Sequence, residues 1–177
     1  MRLAPLVLFC VFGLNGCAAA PTDPTLLHLL NLIERRLATA DVVALHKWDS
    51  QQPVQATERE HSIVAAVRLA APAYQLSPDL AATFFDDQIE ANKLIQYTLL
   101  SQWHLVGQAP DLPRHDLQKT IRPRLDSLQA DLLRQLAYFH QQRPQDCASQ
   151  LAFALAQRKG DAIHRVGMIR ATGQLCD

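Results

Sequence analysis

One run constrains this chain more than any other: from Ser77 to Trp103, Leu80, Phe84, Phe85, Ile89, Leu94, Ile95 and Leu99 recur at the period of an α-helix. Ser77-Pro78-Asp79 in front of it is a helix start, with a capping side chain and a proline in the first turn. The pattern predicts one helix of roughly 26 residues. A helix that long buries its apolar face only against several partners, so a helical bundle is the expected architecture.

The rest of the chain agrees. Thr22-Asp23-Pro24 opens a helix carried by Leu26, Leu29, Leu30, Ile33 and Leu37, and expected to continue to Ser50. Pro53 interrupts it, and Ala56 or Thr57 begins a shorter helix whose apolar side is Ile63, Val64, Val67 and Leu69, ending near Pro72. A proline-bearing connection from Gly107 to Pro113 leads to Leu125, Leu128, Leu132, Leu133, Leu136 and Phe139 at helical spacing, with Pro123 in the first turn. Two more helices are expected after Pro144, broken at Gly160, with Cys147 early in one and Cys176 ending the other. With only 6 glycines and few β-branched runs, no segment reads as a strand. The expectation is an all-α, single-domain bundle of about six helices.

Arg2, the apolar run Leu6 to Leu14, and Gly16-Cys17 followed by three alanines read as a secretory signal too short to span a membrane. Residues 1–19 are therefore expected to be removed, leaving 20–177 as the folded domain. Leu14-Asn15-Gly16-Cys17 also resembles a lipoprotein box, in which Cys17 would carry a lipid anchor. Loss of the signal takes one of the 17 cations and none of the 17 anions, so the mature chain is nearly neutral. That balance argues against nucleic acid or an anionic membrane surface as partner, and any anionic ligand must be met by local charge. Cys147 and Cys176 are the two cysteines left, and an oxidising exterior favours pairing them.

Arg36 and Lys47 are 11 positions apart, which on one helix puts them about 20° apart around the axis. They form either a solvated basic stripe or one wall of a site. Gln88, Asn92 and Gln96 follow an i, i+4, i+8 rule and make either a surface amide row or a polar row inside the bundle. Asp86 and Asp87 read as structural, paired to an arginine or a helix end. The 7 histidines have no metal-ligand spacing, and no phosphate loop or nucleophile turn is present, so no metal or cofactor is expected.

Taken together, ERRLATADVVALHKW (Glu34 to Trp48), Pro53 followed by Arg59-Glu60, FFDDQIEANKLIQY (Phe84 to Tyr97), IRPRLDSL (Ile121 to Leu128), DCASQ at Asp146 and the terminal Leu175-Cys176 resemble the secreted, or gamma, subclass of all-helical chorismate mutases. The resemblance implies rearrangement of chorismate to prephenate without a cofactor, in a pocket within one protomer of a homodimer. It implies Arg36, Lys47, Arg59 and Arg122 as the cationic groups, with Asn92 and Gln96 facing the substrate. Lys47 and Gln96 would donate to the ether oxygen, and Glu60 would accept from the ring hydroxyl. The nearest rivals are an isochorismate pyruvate-lyase on the same scaffold and a non-enzymatic periplasmic helical binding module. Four cations converging on a dry pocket would exclude the last, since a solvated face splays them.

Overall fold

The computed structural model describes residues 22–177. The expected signal segment and Cys17 lie outside the described residues. Within them are seven α-helices and no strand: α1 (Pro24–Leu37), α2 (Ala40–Ser50), α3 (Thr57–Ala70), α4 (Pro78–Val106), α5 (Arg122–Gln141), α6 (Cys147–Gln157) and α7 (Ala162–Ala171).

The spine is α4, 29 residues and about 43 Å long. Ser77 Oγ accepts from the Leu80 amide at 3.1 Å, Pro78 occupies the first turn, and Gly107 at φ 83° ends the helix in the left-handed region. One flank of α4 meets α2 and α3, the other α7, while α1 packs mainly on α5. Leu26, Leu29, Leu30, Ile33 and Leu37 of α1 join Phe85, Ile95, Leu128, Leu132 and Leu133 in one core. Gly167 of α7 lets that helix approach α4, because a Cβ there would lie 2.7 Å from Ile95 Cδ1. Trp48 stands edge-on to Trp103 with centroids 6.1 Å apart and fixes α2 to the far end of α4.

Three expectations need correction. The first helix does not run unbroken to Ser50: it divides at Ala38-Thr39. The buried Thr39 hydroxyl donates to the Arg36 carbonyl at 2.7 Å, and the Thr39 amide donates to the same oxygen at 3.1 Å, tightening the turn. Both residues keep right-handed helical backbone, so the chain shifts register without turning back. Leu69 is 86% exposed rather than part of the α3 apolar side. It lies about 200° around the helix from the buried Val67, and α3 offers α4 only a narrow stripe. Cys176 stands beyond the end of α7, in the turn that follows it.

Cys147 and Cys176 are bonded, with their Cα atoms 5.7 Å apart, and the bridge closes a loop of 29 positions. The C-terminal segment is further held by Asp87, which is 2% exposed, pairs with Arg170 and accepts from Gln174 Nε2 at 3.3 Å. Gln88, fully buried, donates to the Ala171 carbonyl at 2.7 Å. Cys147→Ser is expected to lower unfolding free energy by roughly 3 to 4 kcal/mol, as loop-closure entropy predicts. Urea unfolding of the variant against the oxidised parent checks it, and an unchanged midpoint would show that packing alone holds the extension.

Candidate active site

A cavity of about 260 Å³ opens between α1, α2, α3, α4 and the start of α5. Its apolar lining includes Val43, Val54, Ile63, Ile89, Ile121 and Leu125. Arg36, Lys47, Arg59, Glu60, Asn92, Gln96 and Arg122 all contribute to the same wall. A larger groove of about 710 Å³ between α1, α6 and α7 holds none of these seven residues. Its Arg158 is already paired with Glu34.

Arg36 sits in the last turn of α1, 5% exposed, with its guanidinium carbon 5.6 Å from the centre of the Phe85 ring. No carboxylate pairs with it among the described residues, and its Nε is buried without an acceptor. Burial, reinforced by repulsion from Arg59 and only partly offset by Asp126, pulls its pKa down to about 10. It remains a cation at neutral pH, buried and without a carboxylate in contact with it.

Lys47, in the last turn of α2, reaches across to donate to the Val54 carbonyl in the loop that follows Pro53. Burial lowers its pKa below the ordinary lysine value; Glu60 opposes the shift and Lys93 adds to it. Arg59, in the first turn of α3, makes a long 3.4 Å contact with Asp126, and both side chains are well exposed. Arg122 opens α5, ahead of Pro123, and donates to Gln118 Oε1 at 2.5 Å. A π-type turn, Leu117–Ile121, capped by the Asp116 carboxylate, delivers it to the cavity rim. All four cations thus converge on one pocket.

Glu60 is engaged by the protein itself. Its Oε1 accepts from the Ala56 amide at 2.8 Å, and its Oε2 accepts from Gln55 Nε2 at 2.9 Å and Lys93 Nζ at 3.2 Å. Lys93 also donates to Glu90 Oε1 at 2.8 Å. Burial works against the Lys93 charge, but these two carboxylates outweigh it and raise its pKa. Lys93 lines the cavity yet was not singled out from sequence, where it is one more lysine on a helix. Gln52 and Gln55, in the loop before α3, were missed for a different reason: irregular segments carry no periodic signal.

Of the amide row on α4, only two members face the cavity. Gln96, 5% exposed, donates from Nε2 to Asn92 Oδ1 at 2.7 Å. Gln88 turns to α7, because three positions spaced by four drift around a 3.6-residue helix by about 40° per step.

Residues 27–97 match the model of the family described as chorismate mutase type II. The secreted chorismate mutase of Mycobacterium tuberculosis is 31% identical over 96% of this chain and 88% of its own length. The crystal structure of chorismate mutase from Burkholderia phymatum superposes with a TM-score of 0.83 at 39% identity, covering 86% of this chain and 96% of that one. Chorismate mutase from Burkholderia thailandensis gives 0.82 at 33% identity over 87% of this chain and 100% of that one. With the fold, the sequence and the length all shared, the chain belongs to the chorismate mutase type II family.

Proposed function

We propose that this chain rearranges chorismate to prephenate in the cavity between α1 and α4, working outside the cytoplasm as relatives named secreted chorismate mutases do. The observation that carries the reading is Arg36: a buried cation with no carboxylate partner, beside Lys47, in a pocket rimmed by two further arginines. Such a site wants an anion with more than one charge. Chorismate supplies two carboxylates and an enolpyruvyl ether. The mature enzyme in this reading is residues 20–177, a homodimer in which each protomer has a complete pocket, with lipidation of Cys17 as the alternative form.

The reaction is a concerted pericyclic shift. The ether C–O bond breaks while the enolpyruvyl methylene bonds to the ring, and no proton, metal or nucleophile has to be supplied. What the protein contributes is shape and charge. Arg36, Arg59 and Arg122 hold the carboxylates, and because a guanidinium grips both oxygens, fixing both ends folds the enolpyruvyl group over the ring into a near-attack conformer. As the C–O bond lengthens, charge gathers on the ether oxygen. Lys47 and Gln96 donate to it there, so they bind the transition state more strongly than the ground state. Glu60, already fixed by Ala56 and Lys93, keeps spare lone pairs for the ring hydroxyl. The apolar walls exclude water and strengthen each of these contacts.

The direct test is incubation of residues 20–177 with chorismate, following the loss of its absorbance and identifying the product chromatographically. Prephenate is expected; inertness, or pyruvate released from isochorismate instead, would overturn the reading. Lys47→Ala is expected to fold normally and lose roughly 10²- to 10³-fold in kcat, the usual effect of one fixed donor at a developing charge. Near-normal turnover in that variant would remove Lys47 from the chemistry.

The pH dependence follows from the two donors. Gln96 donates at any ordinary pH, so kcat/KM is expected to stay flat through neutrality. It should then fall on the alkaline side, below the ordinary lysine pKa of 10.5, because Lys47 is depressed by burial and acts only when protonated. Gln96→Glu must be protonated before it can donate, so its optimum is expected to move to acid. A rate in that variant unchanged at neutral pH would exclude Gln96 as the donor.

A further inference from the structure

Gln96 poses an orientation problem that its position on α4 does not solve. A primary amide has a donor end and an acceptor end of nearly the same shape, and only the donor end helps an ether oxygen gaining negative charge. Turned by 180°, the same side chain would present a carbonyl lone pair to that oxygen and oppose the reaction. Packing alone barely distinguishes the two orientations, so a hydrogen bond has to choose between them.

In this structure the donor end is chosen by one contact. Gln96 Nε2 donates one of its two N–H groups to Asn92 Oδ1, one turn earlier on the same helix, at 2.7 Å. The other N–H of that nitrogen is left for a ligand in the cavity that both residues line. Gln96 Oε1 is buried without any partner. An orphaned buried acceptor is costly and favours turning the amide toward a donor; while Asn92 presents Oδ1, as it does here, a turned Gln96 would set two carbonyl oxygens against each other, and that repulsion opposes the turn. The site accepts an unsatisfied oxygen on one side of Gln96 in order to hold the nitrogen on the other.

We propose that Asn92 is a positioning residue for the rearrangement: through Oδ1 it holds the Gln96 amide with its N–H end toward the substrate's ether oxygen, rather than itself binding a carboxylate. This rests on the chorismate mutase reading above and gives position 92 a distinct role within it. The two roles separate kinetically. A residue that binds a substrate carboxylate in ground state and transition state alike acts on KM, whereas one that orients a transition-state donor acts on kcat. A residue that acts only through Gln96 also has nothing left to do once the Gln96 amide is gone.

The experiment is a double-mutant cycle on the full mature chain with chorismate as substrate, reading kcat and KM separately. Asn92→Leu, similar in shape but without an acceptor, is expected to lower kcat roughly 10- to 100-fold, the scale set by misplacing one donor, with KM little changed. In a Gln96→Ala background the same change at position 92 is expected to cost almost nothing further. Asn92→Asp keeps the acceptor and should retain most of kcat at neutral pH, while its added charge raises KM for a dianion.

Losses that add in the cycle, or a defect of Asn92→Leu confined to KM, would overturn the positioning role while leaving the enzyme a chorismate mutase. A parent enzyme inert toward chorismate would remove the functional reading and this role with it. If Asn92→Leu does not fold, Asn92→Asp decides alone: loss of kcat at neutral pH with the acceptor retained counts against the proposal.

Discussion

The molecule is organised around a guanidinium that has been taken out of water and given no carboxylate. Burying an unpaired cation is among the least favourable things a fold can do, and a chain under selection for stability alone would pair Arg36 or replace it. Here the surroundings mitigate the cost without removing it: the Phe85 face lies 5.6 Å away and the Asp126 charge acts at longer range. The local backbone serves the same end. Thr39 closes α1 directly over the Arg36 carbonyl, which fixes where Arg36 leaves the helix and re-aims the chain so that α2 can present Lys47 to the same space.

Such a site needs a rigid frame, and α4 provides it by having two working sides. Asp87 and Gln88 are committed to the C-terminal segment, through Arg170, Gln174 and the Ala171 carbonyl, while Asn92 and Gln96 are committed to the cavity. The disulfide and the close approach at Gly167 hold α7 against the spine, so the back of α4 is clamped while its front remains open. A helix free to rotate would lose the placement of Gln96 before it lost its fold. Catalysis by positioning is sensitive to displacements far smaller than those that threaten stability.

Much of this was legible in the residues. The helix starts at Asp23 and Ser77, the proline early in α5 and the apolar periods of α1, α4 and α5 are local signals with local causes, and they place those elements well. What periodicity could not supply was the break at Thr39, where a hydroxyl competing for one carbonyl outweighs an unbroken apolar pattern. Nor could it separate Gln88 from Asn92 and Gln96, since an i+4 row drifts around a 3.6-residue helix until its members face different neighbours. The convergence of Arg59 and Arg122 with Arg36 and Lys47 joins segments far apart in sequence. Only resemblance to a family pointed to it, and no spacing within one helix could. Lys93 was invisible because its significance lies in two carboxylates, Glu60 and Glu90, only one of which shares its helix.

That last trio explains how a chain with 17 cations and 17 anions can build a strongly positive pocket. Glu60 lines the cavity, and its oxygens are taken up by Lys93, Gln55 and the Ala56 amide. Lys93 in turn is neutralised by Glu60 and Glu90, so it adds little net charge of its own. The effect is to occupy the one acid in the cavity wall while leaving Arg36, Lys47 and Arg122 without carboxylate partners among the described residues. A nearly neutral chain gives no long-range attraction for anions in general, so in the proposed reading selectivity for a dianion has to come from the pocket and not from the protein's overall field. Local charge separation, set by which acid is already occupied, thus does what net charge does not.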